Sequence, residues 1–138
     1  MVPKSKILLA DDHVLVAEGL QKLLESEFEL AGIAADGRAL LKAVQEAPPD
    51  VAIVDISLPL LNGLDASRQI LKLNPSVKII ILTINEDPDV AAEAFRAGAT
   101  SYLLKNSAAS ELLVAVEEAM RGQSYVTPLV AKGLVDAL

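Results

Sequence analysis

The chain has 138 residues, 52% of them hydrophobic, with 12 lysines and arginines against 19 aspartates and glutamates. This length and composition fit one domain with a single core, and the net charge of −7 makes non-specific attraction to nucleic acid or anionic lipid unfavourable. Without cysteine there can be no disulfide, thiolate metal site or cysteine nucleophile. No apolar run has the length of a signal-peptide core or a membrane span, so we expect a cytoplasmic protein without membrane attachment.

Five short apolar runs are predicted to be β-strands because they alternate with longer segments of helical spacing. The predicted strands are Lys6–Ala10, Glu29–Ala34, Val51–Val54, Lys78–Thr83 and Ser101–Leu104. Runs of this length are typical of parallel strands joined by helical crossovers. The third and fourth runs are apolar on both faces, as interior strands of a parallel sheet must be.

Apolar residues recur at intervals of three and four between the strands, which predicts five helices. The residues expected to face the core are Val16, Leu20, Leu23 and Leu24; Leu40, Leu41 and Val44; Leu64, Ser67, Ile70 and Leu71; Val90, Ala91, Ala94 and Phe95; and Leu112, Leu113, Val116 and Met120. Pro48 and Pro75 stop the second and third helices, and Gly98 and Gly122 are expected to follow the fourth and fifth. Five βα units predict an α/β fold, a doubly wound five-stranded parallel sheet.

The segment after Gly122 is too short to form a second domain. Thr127 and Pro128 suit an N-cap and a first helical position, so a short helix is predicted over Leu129–Leu138. We therefore assign residues 1–122 to one domain and residues 123–138 to a linker or short helix.

Chemically active side chains stand where the predicted strands end. Asp11 and Asp12 follow the first strand, Asp55 follows the third, Thr83 ends the fourth, and Lys105 follows the fifth. Because the carboxyl ends of parallel strands share one edge of the sheet, these side chains are expected to converge there. The three carboxylates, called the acidic cluster below, would repel one another unless a cation lay among them, which predicts a metal-assisted site.

The acidic cluster suits a hard divalent ion such as Mg²⁺, which prefers oxygen ligands. Asp11, Asp12 and Asp55 supply carboxylates, and a backbone carbonyl just after Asp55 could add another ligand. Asp55 is the natural nucleophile, since a carboxylate can accept a phosphoryl group as an aspartyl-phosphate. Thr83 and Lys105 would then offer a hydroxyl donor and a positive charge to the phosphoryl oxygens.

Two other residues have simpler interpretations. His13, the only histidine, is interpreted as a solvated residue at a helix start rather than a ligand or base. Tyr102, taken alone, is typical of a half-exposed strand aromatic.

Two other functional classes fit less well. A metal-dependent phosphohydrolase commonly has a second carboxylate two positions after its aspartate nucleophile, where this chain has Ser57, so turnover should be poor. A flavodoxin-like cofactor carrier needs a phosphate-binding loop after the first strand, where Asp11 and Asp12 would repel phosphate.

The pattern resembles the receiver domain of bacterial two-component response regulators. The residues that carry the resemblance are Asp11-Asp12, Asp55 followed by Pro59 and Gly63, Thr83, and Tyr102-Leu-Leu-Lys105. Residues 49–63 are close to that family's central signature, and residues 97–105, with Asp11-Asp12-His13, resemble its NarL/FixJ-type subgroup. The resemblance runs from Lys6 to Gly122 and implies the flavodoxin-like (βα)5 receiver fold.

This resemblance implies transfer of a phosphoryl group from the histidine of a sensor histidine kinase to Asp55, with Mg²⁺ as cofactor. It further implies that Asp12 binds the metal directly, Asp11 through water and Ser57 through its backbone carbonyl. Such a domain is not an enzyme beyond catalysing its own phosphorylation and dephosphorylation.

The family also implies a conformational switch. On phosphorylation the residue matching Thr83 moves toward the phosphoryl group and the aromatic matching Tyr102 turns inward, which remodels the face of the fourth helix, fifth strand and fifth helix and could support a homodimer. Ile84 departs from the small residue found after the threonine in many receivers, and we expect it to crowd the approach to Asp55.

The output remains open at the level of sequence. NarL/FixJ-type regulators usually carry a C-terminal helix-turn-helix domain of ~60 residues, for which this chain leaves no room, so DNA binding would need an absent output domain. We favour a receiver cut from a DNA-binding regulator over a stand-alone receiver that acts through protein partners.

Overall fold

The computed structural model describes residues 4–137, and these form alternating strands and helices. In chain order the elements are β1 (Lys6–Ala10), α1 (Val14–Glu25), β2 (Glu29–Ala34), α2 (Gly37–Glu46), β3 (Val51–Asp55), α3 (Gly63–Leu73), β4 (Lys78–Thr83), α4 (Pro88–Arg96), β5 (Ser101–Leu104), α5 (Ala108–Met120), β6 (Tyr125–Val126) and α6 (Pro128–Ala137). A single 3-10 turn over Lys105–Ser107 joins β5 to α5.

The strands form one parallel sheet in the order β2-β1-β3-β4-β5-β6. The predicted doubly wound α/β fold is confirmed, but the sheet has six strands instead of five. The sixth is a two-residue strand in which Tyr125 and Val126 pair with Ser101 and Tyr102 of β5. A strand this short has no detectable hydrophobic period, which is why the sequence did not predict it.

Each face of the sheet is covered by a separate hydrophobic cluster. Alternate residues of one strand enter opposite clusters, as Ile80 and Ile81 of β4 do, so the interior strands must be apolar throughout. Helices α1 and α5 cover one face, and α2, α3 and α4 cover the other. Two residues expected to face the core are partly exposed: Val16 at 36% and Met120 at 43%. These two expectations are wrong because the neighbouring residues Ala17 and Ala119 are buried instead. The core-facing side of each helix is therefore displaced by one residue from the predicted one.

The glycines after α4 and α5 have the left-handed backbone predicted for them. Gly98 has φ +103° and Gly122 has φ +77°, a region that costs other residues strain. After α4, the amide of Ala99 donates to the carbonyl of Ala94, which closes a Schellman motif.

Residues 123–137 pack against the rest of the domain. Val130 of α6 is fully buried, and Gly133 lies so close to Pro88 of α4 that a Cβ there would come within 2.5 Å of its ring. Thr127 precedes α6 as predicted, but its hydroxyl accepts from the Leu104 amide at 3.1 Å and donates to Glu111 at 2.8 Å. The predicted helix is thus present from Pro128 to Ala137, whereas residues 1–3 and 138 lie outside the described part.

Within residues 4–137, none of the helices combines the length and the apolar character needed to cross a bilayer.

Candidate functional site

The carboxyl edge of the sheet brings together side chains from three strand ends. β1 and β5 deliver Asp11 and Lys105 just past their last residues, and Asp55 ends β3. Asp55 pairs with Leu82, which places Thr83 one residue further along the neighbouring strand. Gly63, at the start of α3, lies so close to the backbone of Asp55 that an added Cβ would overlap the Asp55 carbonyl. The tight loop therefore holds Asp55 at the edge.

Lys105 is the internal counter-ion of the site. Its Nζ lies 2.9 Å from Oδ2 of Asp55 and 3.2 Å from Oδ2 of Asp11, and all three side chains are at most 9% exposed. Burial by itself lowers the pKa of Lys105, but its hydrogen bonds to Asp55 and Asp11 and their charges outweigh burial, so the net pKa is raised. The lysine therefore stays charged between the two carboxylates.

Asp11 has a buried oxygen that lacks a hydrogen bond. Its Oδ1 accepts from the His13 amide at 2.8 Å, whereas Oδ2 has no hydrogen-bond partner although Lys105 lies within ion-pair distance. A buried carboxylate oxygen left in this state costs free energy that a bound cation would recover. The donor set of Asp11, Asp12 and Asp55 therefore fits a divalent ion.

Asp55 is held on its second oxygen by Ser57. Oδ1 accepts from the Ser57 amide at 3.1 Å and from its hydroxyl at 3.0 Å. Ser57 was expected at the site through its backbone carbonyl, and the structure adds these two donor contacts, which sequence reasoning missed. The carboxylate of Asp55 is thus fixed between Ser57 and Lys105.

His13 belongs to this group of side chains, contrary to the interpretation of a purely solvated residue. Its Nδ1 lies 3.0 Å from Asp11, 3.3 Å from Asp12 and 3.7 Å from Asp55, and 2.9 Å from Nζ of Lys105. The His13 side chain is still 58% exposed, so it lies on the solvent-facing side of the cluster. Its place directly after Asp11-Asp12 was the one available sequence signal.

Thr83 and Tyr102 both contact the backbone of Asn85. The Thr83 hydroxyl accepts from the Asn85 amide at 3.1 Å, and the Tyr102 hydroxyl donates to the Asn85 carbonyl at 2.8 Å. Tyr102 is fully buried, so the expectation of a half-exposed aromatic is wrong. Burial, with the charge of Asp87, raises the pKa of Tyr102 to about 12.

Ile84 stands beside the open approach to the site. Its side chain is 83% exposed and borders a cleft of about 370 Å³. The other residues that line this cleft are His13, Val16, Ser57, Lys105 and Asn106. That Ile84 slows access to Asp55 stays a prediction.

The site therefore combines paired acidic residues after β1, an aspartate at the tip of β3 and a lysine after β5 at one edge of a parallel sheet. The chain belongs to the response regulator receiver domain family, whose pattern matches residues 7–117. It is 35% identical to the transcriptional regulatory protein DegU of Brevibacillus brevis over 96% of this chain and 57% of DegU. It is 37% identical to the oxygen regulatory protein NreC of Staphylococcus carnosus, over 95% of this chain and 62% of NreC.

Solved structures place the chain in the NarL/LuxR group of receivers. The structure of a LuxR-family two-component response regulator from Aurantimonas sp. SI85-9A1 covers 97% of both chains, with a TM-score of 0.92 and 31% identity. A structure of two RcsB dimers bound to two parallel DNAs is similar over 96% of this chain and 68% of that one, with a TM-score of 0.87 and 26% identity. The chain spans about 60% of the length of the curated relatives named above.

Proposed function

We propose that this receiver domain accepts a phosphoryl group on Asp55 from a sensor histidine kinase. One observation carries the proposal: Asp55 ends an interior strand with its carboxylate fixed between Lys105 and Ser57. The open cleft beside it gives a phosphodonor a route to the carboxylate. Attack by an Asp55 oxygen would form the P–O bond as the bond from phosphorus to the donor breaks.

Asp11, Asp12 and Asp55 would hold Mg²⁺, with the backbone carbonyl of Ser57 as a further ligand. When bound, the ion would neutralise the negative charge that the carboxylates and the incoming phosphoryl oxygens bring together. The unsatisfied Oδ2 of buried Asp11 supports this assignment, directly or through a bound water.

Lys105 and Thr83 would contact the transferred group. Lys105 already donates to Asp55 at 2.9 Å, and a phosphoryl group on that oxygen would offer its ammonium a stronger acceptor. Thr83 uses its oxygen to accept from Asn85, which leaves the hydroxyl proton to be donated.

Asn85 is the connection that we propose between phosphorylation and the switch. Its amide contacts Thr83 and its carbonyl contacts Tyr102, so movement of Thr83 toward the phosphoryl group would disturb both. The phosphoryl group adds a charge of about −1.5 to −2 and new acceptor oxygens, which would attract the Thr83 hydroxyl. Because Tyr102 is already buried, we propose that it adjusts within the core and biases an existing equilibrium.

Family membership supports a set of proposed partners. We propose a cytoplasmic sensor-kinase domain as donor, a homodimer favoured by phosphorylation, and transcriptional output through a DNA-binding domain outside these 138 residues. RcsB, with its dimers on DNA, supports the last two steps by similarity. We also propose that the only reactions this domain catalyses are its own phosphorylation and dephosphorylation.

Beryllofluoride, a mimic of the phosphoryl group, tests the proposal. With Mg²⁺, fluorine NMR should show one bound species, and the amide signals of Thr83, Asn85 and Tyr102 should shift. Asp55→Asn, or removal of Mg²⁺ with EDTA, should abolish both effects. Equal binding by wild type and Asp55→Asn would exclude Asp55 as the acceptor.

A further inference from the structure

His13 places a nitrogen among the oxygens of the acidic cluster. It is the only histidine, and the chain has no cysteine, so no other side chain can offer a metal an imidazole or a thiolate. One ligand atom from each of Asp11, Asp12, His13 and Asp55 lies within 4.8 Å of all the others. The cluster is therefore a mixed nitrogen and oxygen donor set.

Two of the three separations around Nδ1, those to Asp11 and Asp12, are close to the separation of neighbouring ligands around a metal ion. Nδ1 is 3.0, 3.3 and 3.7 Å from carboxylate oxygens of Asp11, Asp12 and Asp55. Metal–ligand bonds of about 2.0–2.2 Å give neighbouring ligands a separation of about 3.0 Å in an octahedron and about 3.4 Å in a tetrahedron. The buried Oδ2 of Asp11 has no hydrogen bond and only the ion-pair contact with Lys105 at 3.2 Å, so a metal ion would add a bond that this oxygen lacks.

The contacts of Nδ1 conflict without such a cation. If Nδ1 carries the proton, its N–H faces the Lys105 ammonium at 2.9 Å; if it does not, its lone pair faces the carboxylate oxygens. One contact is unfavourable in either tautomer. A divalent ion bound by Nδ1 and the carboxylates, with the Lys105 ammonium displaced, would remove the conflict.

We propose that His13 makes the acidic cluster a site for divalent transition metals such as Ni²⁺ and Zn²⁺, which compete there with Mg²⁺. Oxygen ligands suit Mg²⁺, whereas an imidazole ligand shifts preference toward later first-row metals. The inference rests on the proposed function only in that both use the carboxylates of Asp11, Asp12 and Asp55.

The experiment measures the Ni²⁺ and Mg²⁺ dissociation constants of the tag-free chain by calorimetry. His13→Asn should keep the start of α1, because asparagine is a favoured N-cap residue, and circular dichroism checks this. The variant should lower the preference for Ni²⁺ over Mg²⁺ about tenfold or more. Val14→Ala, at the 68% exposed neighbour, should leave that preference unchanged.

Zinc provides a direct readout of ligation. Saturating Zn²⁺ should shift the Nδ1 signal of His13 in nitrogen NMR, which a merely structural histidine would not show. An unmoved Nδ1 signal, or equal preference in wild type and His13→Asn, would overturn the inference. If Mg²⁺-dependent beryllofluoride binding persists in that case, the proposed function stands; if neither metal binds wild type, both proposals fail.

Discussion

Lys105 is the positive charge that offsets the buried carboxylates at the carboxyl edge of the sheet. Asp11 and Asp55 are buried with their carboxylates 3.2 and 2.9 Å from one ammonium. Removal of one partner from a buried ion pair is far more costly than loss of an exposed pair, because an uncompensated charge stays inside.

Lys105→Met should therefore destabilise the metal-free domain by about 3–5 kcal/mol, as breaking a buried pair does. Saturating Mg²⁺ should recover part of this loss, since the ion replaces the missing positive charge. Urea unfolding with EDTA or with Mg²⁺ gives both values. Lys42→Met, at an exposed pair with Glu46, is the control and should change stability by less than about 1 kcal/mol. An equal, small effect of both variants would contradict the counter-ion role.

Tyr102 should make the domain lose stability in alkali. Its pKa is raised from 10.0 to about 12 in the folded state, so between these values the unfolded chain releases the proton while the folded chain keeps it. Fewer protons on the unfolded state mean that stability falls as pH rises.

Tyr102→Phe should cost about 1 kcal/mol near pH 8, where it removes the bond to Asn85. The deficit should shrink toward pH 11, because the variant lacks the titrating hydroxyl. Urea unfolding at the two pH values checks this. A deficit that is the same at both pH values would show that the ionisation of Tyr102 is not coupled to folding.

The prediction of parallel strands was sufficient to show which backbone positions meet at the site. Asp11, Asp55 and Lys105 follow or end strands whose carboxyl ends share one edge, and their side chains do converge. The contacts of His13 were not predictable because they depend on its side-chain rotamer. The burial of Tyr102 was not predictable because it depends on which elements pack over β5. Local sequence determines neither of these.

At the level of elements, all five predicted helices are present, and the wrong core-facing positions are Val16 and Met120, where the neighbouring Ala17 and Ala119 are buried instead. The first and last residues of β1 to β5 were predicted to within one residue, because a continuous apolar run shows where a buried strand begins and ends. The docking of α6 onto α4 was not predicted, because it depends on the small size of Gly133 against Pro88.

A pair of glycine substitutions tests this packing. Gly19 in α1 has nothing within 4 Å of an added Cβ, so Gly19→Ala should stabilise the domain by up to about 1 kcal/mol through helix propensity. Gly133→Ala gains the same propensity, but its methyl would meet the Pro88 ring at 2.5 Å and push α6 away. We expect Gly133→Ala to lower the melting temperature and Gly19→Ala to raise it. A rise of similar size in both would show that α6 is not held against α4.

At the scale of the whole molecule, charge limits what this chain can bind by itself. Its net charge of −7 becomes more negative on phosphorylation, which opposes DNA binding. Like net charges also repel, so a dimer of this chain would have to be stabilised by buried apolar surface. The partly buried Phe95 and Leu113 lie on the helices either side of β5, with Tyr102 buried beneath.

We expect phosphorylation or beryllofluoride to shift sedimentation of the 138-residue chain toward a dimer, with no sequence-specific gel shift on DNA. Phe95→Ala or Leu113→Ala should weaken the dimer if it uses the face around β5. Unchanged sedimentation, together with unshifted signals near Tyr102, would place the switch outside this chain.

Intact-mass spectrometry after incubation with acetyl phosphate and Mg²⁺ tests the phosphoryl-acceptor assignment most directly. The wild-type chain should gain one phosphoryl group that hydroxylamine removes, as an acyl phosphate requires, and peptide mapping should place it on Asp55. Asp55→Asn, and wild type in EDTA, should gain none. Equal phosphorylation of Asp55→Asn and wild type, or equal phosphorylation of wild type with and without EDTA, would contradict the assignment of Asp55 as a Mg²⁺-dependent acceptor.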